Sequence, residues 1–314
     1  MFKRSRIALL FGVAVAISLI ISACGGSSTG TGSTPTAGAT ATVSTLGTPG
    51  SFNCINDTIT ASGSTALAPL VKAVATQYTT KCPGATITVN LGGSKTGLAN
   101  VEAGSSDIGN SDVPANAQTQ ADLVDHQVSV VIFGIIVNKD VTLTNITTAQ
   151  IKDIYSGKTT NWNQIGGPNL PIVVVSRPAS SGTRATFAKY VLGGPETVSG
   201  PSHLTTDSTG VVITNVAGNN GAIGYAATGP AKANSSVTLL SVDGNAPTSD
   251  NVKTNTYKFW NIEHMYTKGT PKPLAQALID YMTSTDAKTI ATQQDFIAIT
   301  DMSADAITAH NAVS

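Results

Sequence analysis

Val128-Ser129-Val130-Val131-Ile132-Phe133-Gly134-Ile135-Ile136-Val137-Asn138 reads as an unusually long, apolar strand; strands average about 5–6 residues. A strand of this length is suited to leave one lobe and enter a second. Tyr257–Thr267 is a second candidate crossing. Two crossings make lobe one discontinuous, residues 54–134 plus 258–314, and lobe two 138–256, with a ligand in the cleft between them. Around the crossings, short β-branched runs alternate with helical stretches. Ile59–Ala61, Ala85–Asn90, Asp107–Gly109, Ile172–Ser176, Ala222–Tyr225 and Val237–Ser241 read as strands. Ala66–Thr80, Thr96–Ala103, Thr148–Ser156, Thr183–Leu192, Thr209–Ala217, Pro273–Thr283 and Ser303–His310 read as helices, from apolar periodicity and capping residues. The alternation predicts an α/β fold with mostly parallel sheets and right-handed crossovers.

The composition narrows the function. The 314 residues carry 18 Lys+Arg against 18 Asp+Glu, and only 11% are charged, about half the usual share. No basic excess points to nucleic acid, and the one long apolar run besides the candidate strands is N-terminal, which excludes a polytopic membrane protein. Lys3, Arg4 and Arg6 precede the apolar Ile7–Ile21, as in an export signal. Ile21-Ser22-Ala23-Cys24 resembles the lipobox of bacterial lipoproteins, which implies cleavage of residues 1–23 and a lipid anchor on Cys24. Two acyl chains suffice for stable anchoring. Cleavage removes three cations and leaves a mildly acidic chain. Most of residues 24–53 is Gly, Ser, Thr, Ala and Pro, which cannot build a core; it reads as a tether of roughly 30 Å reach.

Export places Cys54 and Cys82 in an oxidising compartment. Cys54 precedes the strand Ile59–Ala61 and Cys82 follows the helix Ala66–Thr80. In a strand–helix unit these two points share one edge of the sheet, so the thiols are placed to bond; the alternative is two free thiols. No Cys-x-x-Cys suggests a redox or zinc site.

Three strand-to-helix junctions carry small hydroxyl and glycine residues: Ser62-Gly63-Ser64-Thr65, Gly92-Gly93-Ser94-Lys95-Thr96-Gly97 and Ser180-Ser181-Gly182-Thr183-Arg184. Each places backbone N–H groups, hydroxyls and a helix N-terminus at the carboxyl end of a strand, where open α/β sheets bind ligands and anions are favoured. A single junction is better explained by N-capping alone. Three of them, with Arg177 and Arg184 bracketing the third, point to an anion. Asp112 lies beside the second. Alone it also reads as a turn residue before Pro114. Near an anion, however, a carboxylate is tolerable only if it accepts a proton from the ligand. Monohydrogen phosphate carries that proton; sulfate does not.

These segments, with Asp107-Ile108-Gly109-Asn110-Ser111-Asp112, Arg177-Pro178-Ala179-Ser180 and Phe259-Trp260-Asn261-Ile262-Glu263-His264-Met265-Tyr266, resemble the phosphate-binding lipoproteins of bacterial high-affinity phosphate ABC importers. The resemblance spans about residues 57–312. It implies a type II periplasmic-binding-protein fold, phosphate held between two lobes, an ABC importer permease as partner, an extracytoplasmic lipid-anchored monomer, and no cofactor or metal. By motif position, Thr65 would donate from hydroxyl and backbone, with Ser64 and Ala66 flanking it as backbone donors. Ser94 would give a hydroxyl, Asp112 would accept the phosphate proton, and Arg177 would give a bidentate donor. Ser181, Gly182 and Thr183 would cradle the anion. Arg184 either joins them or braces a carboxylate. Two positions depart from the family pattern. Ala179 stands where many members have an acidic residue that orients the arginine, and Lys95 replaces a glycine, either strengthening the site or facing solvent.

An enzyme is the rival from another class. The folded part carries no Gly-x-Ser-x-Gly elbow, Ser-x-x-Lys or His-Glu-x-x-His, and His126, His203, His264 and His310 lack ligand spacing. Ser156-Gly157-Lys158-Thr159 imitates the end of a phosphate loop, but Lys152 stands where its first Gly belongs. Sulfate or molybdate binding, and a phosphate sensor or surface adhesin, are the alternatives within the fold.

Overall fold

The computed structural model describes residues 52–198 and 202–313. The expected export leader 1–23, the expected lipidation site Cys24 and nearly all of the expected tether lie outside the described residues. In chain order the elements are β1 (Thr58–Gly63), α1 (Ala68–Lys81), β2 (Thr86–Leu91), α2 (Ser94–Glu102), β3 (Ile108–Ser111), β4 (Leu123–Asn138), β5 (Asn145–Ile146), α3 (Thr148–Tyr155), β6 (Val173–Ser176) and α4 (Gly182–Phe187). They continue with β7 (His203–Thr205), α5 (Thr209–Gly218), β8 (Ala222–Ala227), α6 (Thr228–Lys232), β9 (Val237–Val242), α7 (Ser249–Lys253), β10 (Trp260–Lys268), α8 (Pro273–Met282), α9 (Thr285–Gln293), β11 (Phe296–Ala298) and α10 (Ala304–Asn311).

β4 organises the sheet, whose main path runs β2-β1-β3-β10-β4-β8-β6-β7. From Leu123 to Ile132 it pairs with β10, and β11 flanks it at Ser129–Val131. From Phe133 to Asn138 its neighbours become β8 and β9. The strand thus changes partners midway and belongs to both ends of the sheet. Its burial follows: every residue from Val128 to Asn138 is buried, whereas Leu123–Gln127 are partly exposed. That is why the apolar run begins at Val128. Helices cover both faces there, and each buried Val or Ile contributes about 1.5–3 kcal/mol.

The sheet is less parallel than the alternation suggested. β1, β2 and β3 are parallel to one another, as are β6, β7 and β8. β10 is antiparallel to both β3 and β4, and β4 is antiparallel to β8 and β9. β4 and β10 run against their strand neighbours, a direction that local periodicity does not encode. Four helix starts also move: α1 begins at Ala68 after a turn, α2 begins at Ser94, α4 begins at Gly182 and passes into a π-helical turn at Ala188–Leu192, and α10 begins at Ala304.

α1 buries Leu70, Val71, Val74, Ala75 and Tyr78 along one face, the i, i+4, i+8 spacing of an amphipathic helix. Cys82 caps its end and is bonded to Cys54, with Cα atoms 5.3 Å apart. The bridge closes a loop of sequence separation 28, for which chain entropy predicts about 3–4 kcal/mol. We expect the Cys54→Ser/Cys82→Ser variant to melt at least several degrees below the oxidised wild type. Equal melting temperatures would show that the N-terminal segment is held by its other contacts alone.

Candidate functional site

The carboxyl ends of β1, β3, β6 and β7 converge on one buried polar cluster. Close backbone approach makes this possible. A side chain at Gly97 would place its Cβ 2.6 Å from the Ser62 carbonyl oxygen and 2.7 Å from Gly63 Cα, so the first turn of α2 sits directly on the ends of β1 and β3. Ser94, the first residue of α2, therefore reaches Asp112: the Asp112 amide donates to Ser94 Oγ at 3.0 Å. From the other direction, Gly182 at the start of α4 abuts the same pair. A Cβ there would lie 2.2 Å from Ser94 Oγ and 2.9 Å from Asp112 Cβ.

Asp112 is the centre of the cluster and is 1% exposed. Ser64 Oγ donates to its Oδ1, and Thr183 Oγ1 donates to its Oδ2 at 2.9 Å. Each carboxylate oxygen keeps a further lone pair. Ser64 Oγ also accepts the Ala66 and Leu67 amides at 3.1 and 3.0 Å, which ties Asp112 to the start of α1.

Arg177, also 1% exposed, stands at the end of β6. Its Nη2 donates to Thr65 Oγ1 at 3.0 Å and to the Asp207 carbonyl at 3.2 Å. Its Nε and Nη1 are buried with no hydrogen-bond partner among the described residues. Burial lowers the guanidinium below its ordinary value, and Asp112, Tyr225 and Asp207 oppose that shift; arginine nonetheless stays charged.

Several sequence expectations change in detail. The Ser64 amide is engaged by the Asn110 carbonyl at 2.9 Å and the Ala66 amide by Ser64 Oγ, so in this conformation neither is a free backbone donor. Ser181 caps α4, its Oγ accepting the Arg184 amide at 3.2 Å. Of the two readings of Arg184, the geometry favours bracing. Its Nε meets Glu196 Oε2 at 3.0 Å, Nη1 donates to the Arg177 carbonyl at 2.8 Å, and Nη2 to the Glu196 carbonyl at 3.1 Å. Glu196 also receives the Tyr225 hydroxyl at 2.8 Å and the Ser176 hydroxyl. This network holds the backbone carbonyl of Arg177, while its guanidinium is held by Thr65 and the Asp207 carbonyl and not by a carboxylate standing in for one at Ala179. Lys95 is exposed, in line with its solvent reading.

The sequence reading missed Glu196, Asp207 and Thr209. The Thr209 amide donates to Thr65 Oγ1 at 3.2 Å, and the two threonine hydroxyls lie 3.1 Å apart. Thr206-Asp207-Ser208-Thr209-Gly210 is a fourth hydroxyl-and-glycine junction between a strand and a helix. The same rule would have found it had the short β7 been recognised.

Comparison with known proteins places the whole chain rather than the individual site residues. Residues 29–286 match the model of the PBP superfamily domain. The phosphate-binding protein PstS of Bacillus subtilis is 44% identical over 248 residues, covering 78% of this chain and 81% of that one. A Clostridium perfringens crystal structure with bound phosphate, described as a candidate phosphate ABC transporter substrate-binding protein, superimposes with a TM-score of 0.73 at 32% identity. It covers 77% of this chain and 100% of its own. An ABC-type phosphate transport receptor from Vibrio cholerae gives a TM-score of 0.62 at 28% identity, covering 76% and 99%.

Proposed function

The chain belongs to the PstS family of phosphate-binding proteins, within the PBP superfamily and its type II fold, and from that premise we propose that it binds inorganic phosphate outside the cytoplasm and delivers it to an ABC import permease. One observation carries the ligand class: the buried Arg177 guanidinium leaves Nε and Nη1 unpartnered inside a cluster of hydroxyls. A buried N–H without a partner costs about 1–3 kcal/mol, more on a charged group. An oxyanion accepting from both nitrogens offsets that cost.

In this reading Arg177 supplies the charge and the paired donors. Thr65, Ser94, Ser181, Gly182 and Thr183 surround the anion with hydroxyl and backbone groups, and Thr209 joins them. Asp112 accepts the ligand's proton through a lone pair that Ser64 and Thr183 leave open. Arg184 supports Arg177 from behind. The cluster is built of hydroxyls, a carboxylate and a guanidinium, groups suited to holding a tetrahedral oxyanion.

We take residues 54–134 plus 258–314 as lobe one and 138–256 as lobe two. The contacts Thr65–Arg177, Thr65–Thr209 and Asp112–Thr183 then join the lobes and exist only when the cleft is shut, so a ligand strengthening them shifts the population to the closed form. The permease would read that form, and a diacylated Cys24 would keep the monomer at the membrane. Among the described residues no helix is long and apolar enough to cross a membrane.

Gly182→Ala tests the closure directly. Its Cβ has no room against Ser94 and Asp112, so we expect phosphate affinity to fall at least tenfold while the melting temperature changes little. Unchanged affinity would mean that the lobes need not meet at this point. The ligand itself is tested by calorimetric titration of the purified full-length chain with phosphate, then with excess sulfate as competitor. Tight phosphate binding that sulfate cannot displace is the expected result; preferential sulfate or molybdate binding would overturn the phosphate assignment.

A further inference from the structure

Glu263 is a buried acid with no role in the scheme above. It lies on β10, is 0% exposed, and neither carboxyl oxygen has a hydrogen-bond partner of ordinary geometry among the described residues. The sheet register explains where it points. β10 runs antiparallel to β3 with His264 opposite Ser111 and Met265 opposite Asn110. One step further, where the ladder ends, Glu263 comes opposite Asp112. A register shift between Glu263 and His264 marks the same place on the β4 side. Directly opposed residues bring their side chains within about 4.5–5.5 Å, and like charges there repel. Two buried carboxylates cannot both be ionised at that distance without a large penalty. Asp112 already receives two hydroxyl protons; Glu263 receives none. The proton therefore belongs on Glu263.

The other charged groups nearby do not relieve it. Across β4, Glu263 faces Ser129, whose hydroxyl is committed to the Ile297 carbonyl. The adjacent His264 is bound to Asp125 at 2.8 Å. Arg177 interacts electrostatically with Asp112. Burial first, and Asp112 second, push the Glu263 carboxyl well above its ordinary range.

We propose that Glu263 is the proton-bearing partner of Asp112, and that the cleft holds its anion only while Glu263 is a neutral acid. This rests on the phosphate reading. As a neutral acid, Glu263 can donate toward Asp112 from behind while the ligand donates from the front. When it ionises, the site presents two carboxylates to a dianion. The bound dianion raises the proton affinity of Glu263 further, so in alkaline solution phosphate binding takes up a proton. The sign is that of a carboxyl whose affinity for protons rises on binding: affinity is full at low pH and is lost as pH rises through the value for the free protein. The loss is tenfold per pH unit until the value for the complex is reached.

The test measures the dissociation constant for inorganic phosphate from pH 6 to pH 9.5 on the full-length chain. Proton uptake is counted by calorimetry in buffers of different ionisation heat. We expect the wild type to weaken toward tenfold per pH unit in the alkaline range and to take up close to one proton per phosphate there. Glu263→Gln keeps the shape and an N–H donor but cannot ionise. It is expected to weaken binding several-fold at pH 6, with a flat alkaline profile and no proton uptake. The wild-type proton count stands without the variant should the variant fold poorly. No uptake by the wild type, or the same slope and uptake in Glu263→Gln, would overturn this role for Glu263 and leave phosphate binding intact. A wild-type chain that binds no phosphate at pH 6 would overturn the phosphate reading, and this inference with it.

Discussion

Arg177→Ala is expected to weaken phosphate binding by roughly 10²–10³-fold, because truncating one side of a buried, hydrogen-bonded charge pair costs about 2–5 kcal/mol. The remaining hydroxyls can still accept and donate, but they carry no charge to offset the desolvation of a dianion. The same change should cost the ligand-free protein little stability. It removes the packing of a large side chain, yet it also removes two buried nitrogens that lack partners. Loss of binding without loss of folding is therefore the diagnostic pair of results. Arg177→Lys should recover only part of the affinity, since an ammonium cannot offer two parallel donors. Calorimetry with parallel thermal melts checks both statements. Arg177→Ala binding within tenfold of wild type would move the charge to another residue, with Lys95 the first to examine.

Asp112→Asn should change selectivity more than affinity. The amide keeps the shape of the carboxylate; one of Ser64 and Thr183 retains an acceptor and the other hydroxyl must turn to accept from the new NH2. What it loses is the negative charge that repels a fully ionised anion and draws the proton of monohydrogen phosphate. A site built on one such hydrogen bond can discriminate by about 10⁴–10⁵-fold, because the wrong ligand leaves a buried acceptor unpaired. We expect the phosphate-to-sulfate affinity ratio to fall by several orders of magnitude, through weaker phosphate and stronger sulfate binding together. Competition titrations at fixed ionic strength measure the ratio. A ratio unchanged in the variant would remove Asp112 as the selectivity determinant.

What the sequence disclosed, and what it did not, follows from the range of the forces involved. The long central strand was legible because Val128–Asn138 is buried on both faces, and continuous burial leaves a continuous apolar run. The three glycine-hydroxyl junctions were legible as strand-to-helix turns because each is made within a few residues. The disulfide was legible from strand and helix ends sharing one edge of the sheet. The antiparallel return of β10 was not, because strand direction is set by which distant edge is free. α9 escaped notice because the residues it fully buries, Ala287 and Ala291, are small and give little apolar periodicity. Glu196 is the clearest loss. It follows the helical turn after α4 with nothing in its neighbourhood to mark it, yet it receives Arg184, Ser176 and Tyr225. Its role depends on three segments that meet only in the folded chain. Glu263 was visible only as part of a motif; its interaction with Asp112 depends on the pairing of β10 with β3, two strands far apart in the chain.

The most direct test is a crystal structure of the protein grown with saturating phosphate. The account predicts one tetrahedral anion accepting from Arg177 Nε and Nη1, surrounded by the hydroxyls of Thr65, Ser94 and Thr183, with one ligand oxygen at short hydrogen-bond distance from Asp112. Phosphate bound elsewhere, or Arg177 without an anion at saturating ligand, would contradict it.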